Sequence, residues 1–244
     1  MTWWNVAKCH GAYIRILPTW RGARCMGRDL LTEGMSCGLH RVERLMRLEA
    51  LKARARRRRL PPGLGERQLT SPQTCSIAPS KRLNRKWIVE ITNPWTTGGW
   101  LYVAAVSDLF SRCVVGWSMS AAMTARLVTD DLVMAIWRRG KPHALLHHSD
   151  RGSQYTSELF QRFMADHGVV CSTSRSTNVW KQRRDGELFS SLKTEHTARK
   201  LYRTPDEAKA DLFDYLERFY NPKRRHSRIG YMSSMEFERP TGLA

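Results

Sequence analysis

Residues 87–120 read WIVEITNPWTTGGWLYVAAVSDLFSRCVVGWSMS. WIVEI is a short apolar run, NPWTTGG is turn-like, and WLYVAAVSDL and CVVGWSMS are two further β-rich runs. Three such runs separated by short turns predict an antiparallel meander. Downstream, Leu127, Val128, Leu132, Val133 and Ile136 recur on one side of a helix of about Thr124 to Arg139. ALLHHS then reads as a brief strand, residues 157–167 as a helix and VVCST as a strand. RDGELFSSLKTE and the stretch from Pro205 to Phe219 read as helices. The order β-β-β-α-β-α-β-α predicts an α/β fold, a mixed sheet covered by helices.

Upstream, the texture is different. RDLLTEG reads as a short helix from Arg28 closed by Gly34, and LHRVERLMRLEALKA carries Val42, Leu45 and Met46 at helical spacing, with Leu48 and Leu51 extending the apolar side. Two short helices joined by a Gly-containing turn fit either a DNA-reading helix-turn-helix or a plain helical hairpin. The run KARARRRR follows, with Lys52, Arg54, Arg56, Arg57, Arg58 and Arg59 as its basic residues. It reads as a solvated linker or as an arm that holds phosphates without reading sequence. Pro61 to about Ser80 is rich in Pro, Gly and Ser, as an inter-domain linker is. The organisation expected is an unassigned region 1–27, a helical segment with basic arm 28–60, a linker 61–84 and a core 85–244.

The chain has 244 residues, 41 Lys and Arg against 22 Asp and Glu, and a formal charge of +19. Such a chain repels itself and attracts polyanions, which makes nucleic acid the first partner to consider. Hydrophobic residues are 41% of the total, enough for a core, so a wholly disordered basic tail is excluded. No stretch approaches the roughly 18 uncharged apolar residues a membrane-crossing helix needs. The first residues show neither an apolar signal core nor a small-residue cleavage site, and a cytoplasmic protein is expected. Six scattered cysteines, with no C-x-x-C pair or zinc-finger spacing, read as reduced thiols.

Two acids stand at strand positions, where sites in open α/β sheets tend to lie. Glu90 is inside the first strand, among Trp87, Ile88, Val89 and Ile91; Asp150 follows the fourth, in HHSDRGSQYTS. A carboxylate within an apolar strand is costly unless paired or bound to metal. Two of them in a basic protein point to a carboxylate site for Mg²⁺ acting on a phosphodiester. The alternatives are an edge-strand residue facing solvent for Glu90 and an Asx-turn for Asp150. Spacing alone leaves both open.

The strings GWLYVAAVSDLFSRCVVGWSMS, HALLHHSDRGSQYTSELFQRFMADHG, ELFSSLKTE and FYNPKRRHSRIGYMSSMEFE occur in this order. With them the chain resembles the integrase-like transposases encoded by the second reading frame of bacterial insertion sequences. The resemblance runs from about Arg28 to Arg239 and is dense from Trp87 onward. It implies a ribonuclease-H-like core with a mixed five-stranded sheet and a small helical DNA-binding segment ahead of it. It further implies Mg²⁺ (or Mn²⁺) as cofactor, element-end and target DNA as partners, self-association, and strand cleavage and joining. The family's three metal-binding acids map unevenly. Asp150 matches the second without change. The first falls at Glu90, where the family has Asp, and the extra methylene displaces the oxygens by more than about an ångström, which the strict octahedral geometry of Mg²⁺ penalises.

The third acid falls at Gly186, because WKQRRDGELFSSLK stands where the family has W-D-N-A-x-x-E-S-F-F-S-S-L-K. Glu187 and Asp185 flank that position, each about 100° away around a helix. Glu187, after local rearrangement, is the replacement expected. Asn93-Pro94 replaces the family's Tyr-Ile, and Pro94 should end the strand early. The resemblance therefore implies a transposase with impaired chemistry; the alternatives are a non-enzymatic DNA-binding remnant and a chain too altered to accumulate. His147 and His148 should point to opposite faces of their strand. Asp108 should start a turn, either as a structural residue or near the acids. Trp117, Trp137 and Trp180 are expected as packing residues. Lys223, Arg224 and Arg225 follow a helix stop at Tyr220-Asn221-Pro222 and are expected on the DNA backbone.

Overall fold

The computed structural model describes residues 22–48, 80, 82–140, 143–149, 152–173, 187–197 and 200–241. Ala23–Thr32 (α1) and Leu39–Leu48 (α2) form a helical hairpin of their own, with Met26, Leu30, Val42 and Met46 buried together. Gly34, at φ +78°, takes the left-handed position that closes α1, and the Met35 amide donates to the Leu30 carbonyl at 2.9 Å. The helix begins five residues before the sequence suggested. Its cap is Gly22, which offers no side-chain bond and so leaves no start signal. Leu48 is exposed rather than continuing the apolar side. Leu51 and the basic arm lie outside the described residues, as does nearly all of the linker.

Lys86–Thr92 (β1) leads to a miniature hairpin, Trp95–Thr96 (β2) and Gly99–Trp100 (β3), where the sequence indicated only a turn. Tyr102–Asp108 (β4) and Val114–Ser120 (β5) complete the meander. Ala125–Arg139 (α3) is capped by the Thr124 hydroxyl, which accepts from the Leu127 amide, and ends at Gly140 in the left-handed region. Leu146–Ser149 (β6), Glu158–Asp166 (α4, capped by Ser157) and Val170–Thr173 (β7) follow. The sheet order is β5-β4-β1-β6-β7. β1, β4 and β5 are antiparallel neighbours, and β6 and β7 add in parallel. The mixed five-stranded sheet therefore stands as expected, with β1 at its centre.

Strand alternation divides the core in two. Trp87, Val89 and Ile91 share one face with Ala104, Val106 and Val115, against α3 and α4. The contact with α3 is as close as backbones allow: a Cβ on Gly116 would lie 2.1 Å from the Asp131 carbonyl oxygen and 2.7 Å from the Ala135 nitrogen. The other face carries Val103, Ala105 and Val114 under Glu187–Ser191 (α5) and Pro205–Phe213 (α6).

α6 does not stop at Tyr220-Asn221-Pro222. It widens over Asp214–Tyr220 and ends with Asn221–Lys223, a local distortion of the kind prolines and π-type turns produce. Asn221, within that last turn, also closes a sheet edge. Its side-chain amide accepts from the Val114 amide and donates to the Val114 carbonyl, both at 2.9 Å, occupying the open edge of β5 as a strand would. Ser234–Glu238 (α7) is fixed by a capping box at Ser233 and by the Arg139–Glu238 ion pair, both partners nearly inaccessible to solvent. Among the described residues no helix is long and apolar enough to cross a membrane.

Candidate active site

Glu90 lies on the central strand, which corrects the edge-strand alternative. It is paired with Ala105 on β4 and is half-buried. Cross-strand partners share a face, so Glu90 stands on the side where Ala105 packs under α5 and α6, with Thr92 two residues beyond it. α5 packs against β1 as well. Leu188 and Phe189 anchor the helix in the core. Glu187 is its first described residue. Asp150, Asp185 and Gly186 lie outside the described residues. β6 runs parallel to β1 with His148 beside Ile88, and Ser149, its last described residue, is one position ahead of Asp150 in sequence. Among the described residues no three His, Cys, Asp or Glu side chains converge where a cation could sit. Glu90 and Asp150, the acids the sequence singles out, carry carboxylate oxygens, the hard ligands Mg²⁺ takes.

The two histidines point to opposite faces. His147, level with Trp87, is fully buried in the α3/α4 face with its ring 5.6 Å from that of Phe160. Burial pushes its pKa down to about 3, so it is neutral. His148 shares the face of Ile88 and Glu90, and its Nδ1 lies 3.3 Å from the Ser172 hydroxyl.

Asp108 is opposite Trp87, at the far end of β1 from Glu90 and on the other face. Its carboxylate accepts from the amides of Asn84, Phe110 and Ser111, at 2.8 to 2.9 Å, and so organises the β4–β5 turn. Burial raises its pKa against those three bonds. Of its two readings the structural one holds.

The basic segment at the end of α6 divides. Lys223 is exposed. Arg224 donates to the Ser191 hydroxyl at the end of α5, meets His226 and lies over the Tyr220 ring. Arg225 pairs with Glu236 and donates to the Tyr231 carbonyl. Lys52, Arg54, Arg56, Arg57, Arg58 and Arg59 lie outside the described residues, as does Trp180. Trp117 packs as expected, its indole nitrogen donating to Glu217 at 2.7 Å, whereas Trp137 is 82% exposed and does not. Nothing in the sequence signalled the Arg224–Ser191 tie, because its partners are 33 residues apart.

Comparison with known proteins agrees with this architecture. Residues 80–178 match one family model and residues 187–241 a second, both described as integrase core domain. The chain is 35% identical over 219 residues to the transposase InsF for insertion sequence IS3A of Escherichia coli K12, covering 89% of this chain and 76% of the relative. It is 31% identical over 229 residues to an uncharacterized 31 kDa protein of insertion element IS600 from Shigella sonnei, 93% and 84% covered. Among solved structures, the simian T-cell lymphotropic virus intasome contains a chain with a TM-score of 0.50 and 18% identity, a likeness of fold. The match covers 68% of this chain and 60% of the viral one. With its integrase-core sheet and a relative matched over three quarters of that relative's length, the chain belongs to the insertion-sequence transposases built on an integrase core.

Proposed function

We propose that this transposase binds the DNA ends of its element and a target duplex, and that its divalent-metal-dependent strand cleavage and transfer run far below the rate of a three-acid site. The observation that carries the reading is the position of Glu90: a half-buried carboxylate on the central strand, on the face under α5. In this reading Glu90 and Asp150 hold Mg²⁺, which supplies activation of a water or 3′-hydroxyl and stabilisation of the leaving oxygen. Glu90 reaches the site with one methylene too many. Gly186 brings no carboxylate, so Glu187 is the remaining donor on α5 and depends on a local shift of the helix. A misplacement of about an ångström costs on the order of 100-fold in rate. Lys223 and the arm Lys52–Arg59 contact phosphates, with Arg224 and Arg225 contributing what their internal bonds leave. Trp137, exposed on α3, supports self-association.

The test is Mg²⁺- or Mn²⁺-dependent nicking of labelled element-end DNA, with Asp150→Ala as control. The double variant Glu90→Asp, Gly186→Glu is expected to nick roughly 100-fold faster than the wild type or more. Wild-type nicking as fast as that of the double variant, abolished by Asp150→Ala, would defeat the impairment and make Glu187 or Asp185 the third acid. Salt-sensitive DNA binding without nicking in either protein favours the remnant reading.

A further inference from the structure

Burying a tryptophan is among the largest gains a core can make, so two exposed ones on a short, firmly held hairpin call for an occupant. Trp95 and Trp100 face each other across β2 and β3 with ring centroids 4.8 Å apart and planes at 72°. They are 55% and 47% exposed. The hairpin under them is fixed from several sides. The Thr96 hydroxyl donates to the Gly99 carbonyl, the Leu101 amide to the Pro94 carbonyl, and the Thr97 amide to the Tyr202 carbonyl. The Thr97 hydroxyl donates to the Arg203 carbonyl, and a Cβ on Gly98 would meet the Pro205 ring at 3.0 Å. The backbone is therefore held while the indoles stay in solvent, and little ordering entropy remains to be lost when a flat ligand arrives.

The place is specific. β1 runs from Lys86 towards Thr92, and the hairpin continues from that end. Trp95 is five residues beyond Glu90, so at most about 18 Å of chain separates them. Leu201, 90% exposed, and the exposed Arg203 flank Tyr202, whose backbone bridges to Thr96. An aromatic pair with an adjacent cation, on a chain of net charge +19, matches a polyanion that carries flat rings.

We propose that Trp95 and Trp100 form a stacking platform for an unpaired DNA base beside the carboxylate end of the sheet. The inference rests on the reading of the protein as one that acts on DNA. A duplex keeps its bases stacked on one another, so the platform takes a frayed or single-stranded end, which strand cleavage produces. Arg203 holds the adjoining phosphate.

The test measures affinity by fluorescence anisotropy for a labelled single-stranded oligonucleotide and for the matching duplex, at two salt concentrations. A second oligonucleotide carries 2-aminopurine, whose emission stacking quenches. Trp95→Ala and Trp100→Ala are each expected to weaken single-strand binding about tenfold and to relieve the quenching. Duplex affinity stays within about twofold, the salt slope is unchanged because no phosphate contact is lost, and Phe at either position restores most of the loss. Single-strand affinity and quenching unchanged in the double alanine variant overturn the proposal, as does equal weakening for duplex and single strand. A change in sedimentation with no change in base quenching overturns it too, and makes the patch a contact between copies. Failure of the wild type to bind either DNA refutes the underlying reading as well, whereas binding of both with no effect of the variants refutes the platform alone.

Discussion

The two faces of the sheet use charged residues in opposite ways. The face under α3 and α4 is closed. It buries Asp131 and His147 completely, and neither carboxylate oxygen of Asp131 nor either ring nitrogen of His147 has a hydrogen-bond partner among the described residues. Burial penalises the charged form of both groups there, driving the Asp131 pKa well up and that of His147 down. The face under α5 and α6 keeps Glu90 half open to water and ties its helices together with polar bonds such as Arg224 to Ser191. The lesson is that burial alone does not mark a site. Asp131, fully buried, is a structural cost, whereas Glu90, the acid to which the proposed function gives the chemistry, is left half open to water.

Breaking the closed face should have the largest effect. Gly116→Val should abolish folding or cost roughly 4 kcal/mol or more, because the new Cβ meets α3 backbone, which cannot rotate away as a side chain can. Urea melts followed by circular dichroism measure it. Glu90→Gln on the open face should stay within about 1 kcal/mol of the wild type in the same melts, since it keeps size and removes only charge. Similar losses for the two would erase the distinction.

The buried pair sharpens it through pH. His147 takes up a proton at about 6.5 when unfolded and only near 3 when folded, so the unfolded chain binds more protons in between. Stability from this group is present above 6.5 and is lost as pH falls towards 3, on the order of a few kcal/mol. His147→Leu should flatten that fall. Asp131 has the opposite sign: its raised pKa gives stability that is full below about 4 and is lost as pH rises through the folded value. Asp131→Asn should therefore stabilise at pH 7 and change little at pH 3. Melts of the three proteins at pH 3, 5 and 7 test both slopes, and parallel curves would show that neither group is held neutral.

Much of the fold could be read from the chain, because alternation and helical spacing report which side of an element is apolar. The meander, α3 and α4 follow from Trp87 to Ser120, from Thr124 with Gly140 and from Ser157. Asp150 and Glu90 came forward as candidate acids through the family strings and not through spacing, which left an edge strand and an Asx-turn open; the structure answers only the first, by placing Glu90 on the central strand. What spacing cannot carry is long-range pairing. Glu90 is central only because β6 adds in parallel to the far side of β1, and sequence order does not reveal strand order. Asp131, Asn221 and Arg224 look like ordinary polar residues until the elements they meet, many residues away, are in place. The hairpin at Trp95 was hidden for another reason: two-residue strands are too short to show a period.

The smallest predicted effects separate two neighbours in one basic segment. Arg224 donates to Ser191 and His226 and lies over Tyr220, so its cation belongs in large part to the protein interior. Arg224→Ala should cost about 2 kcal/mol, the range for hydrogen bonds from a charged donor, and loosen the end of α5 that Ser191 marks. Lys223 is exposed, and an exposed lysine contributes little to folding. If it meets a phosphate, Lys223→Ala should leave the melt unchanged, weaken DNA binding a few-fold and lower the slope of log K against log salt by about 0.9. Equal slopes for Lys223→Ala and the wild type would remove Lys223 from the interface. A slope lowered as much by Arg224→Ala, with no loss of stability, would show that this arginine leaves its internal partners to hold DNA, and that the open face is held by Asn221 and apolar packing alone.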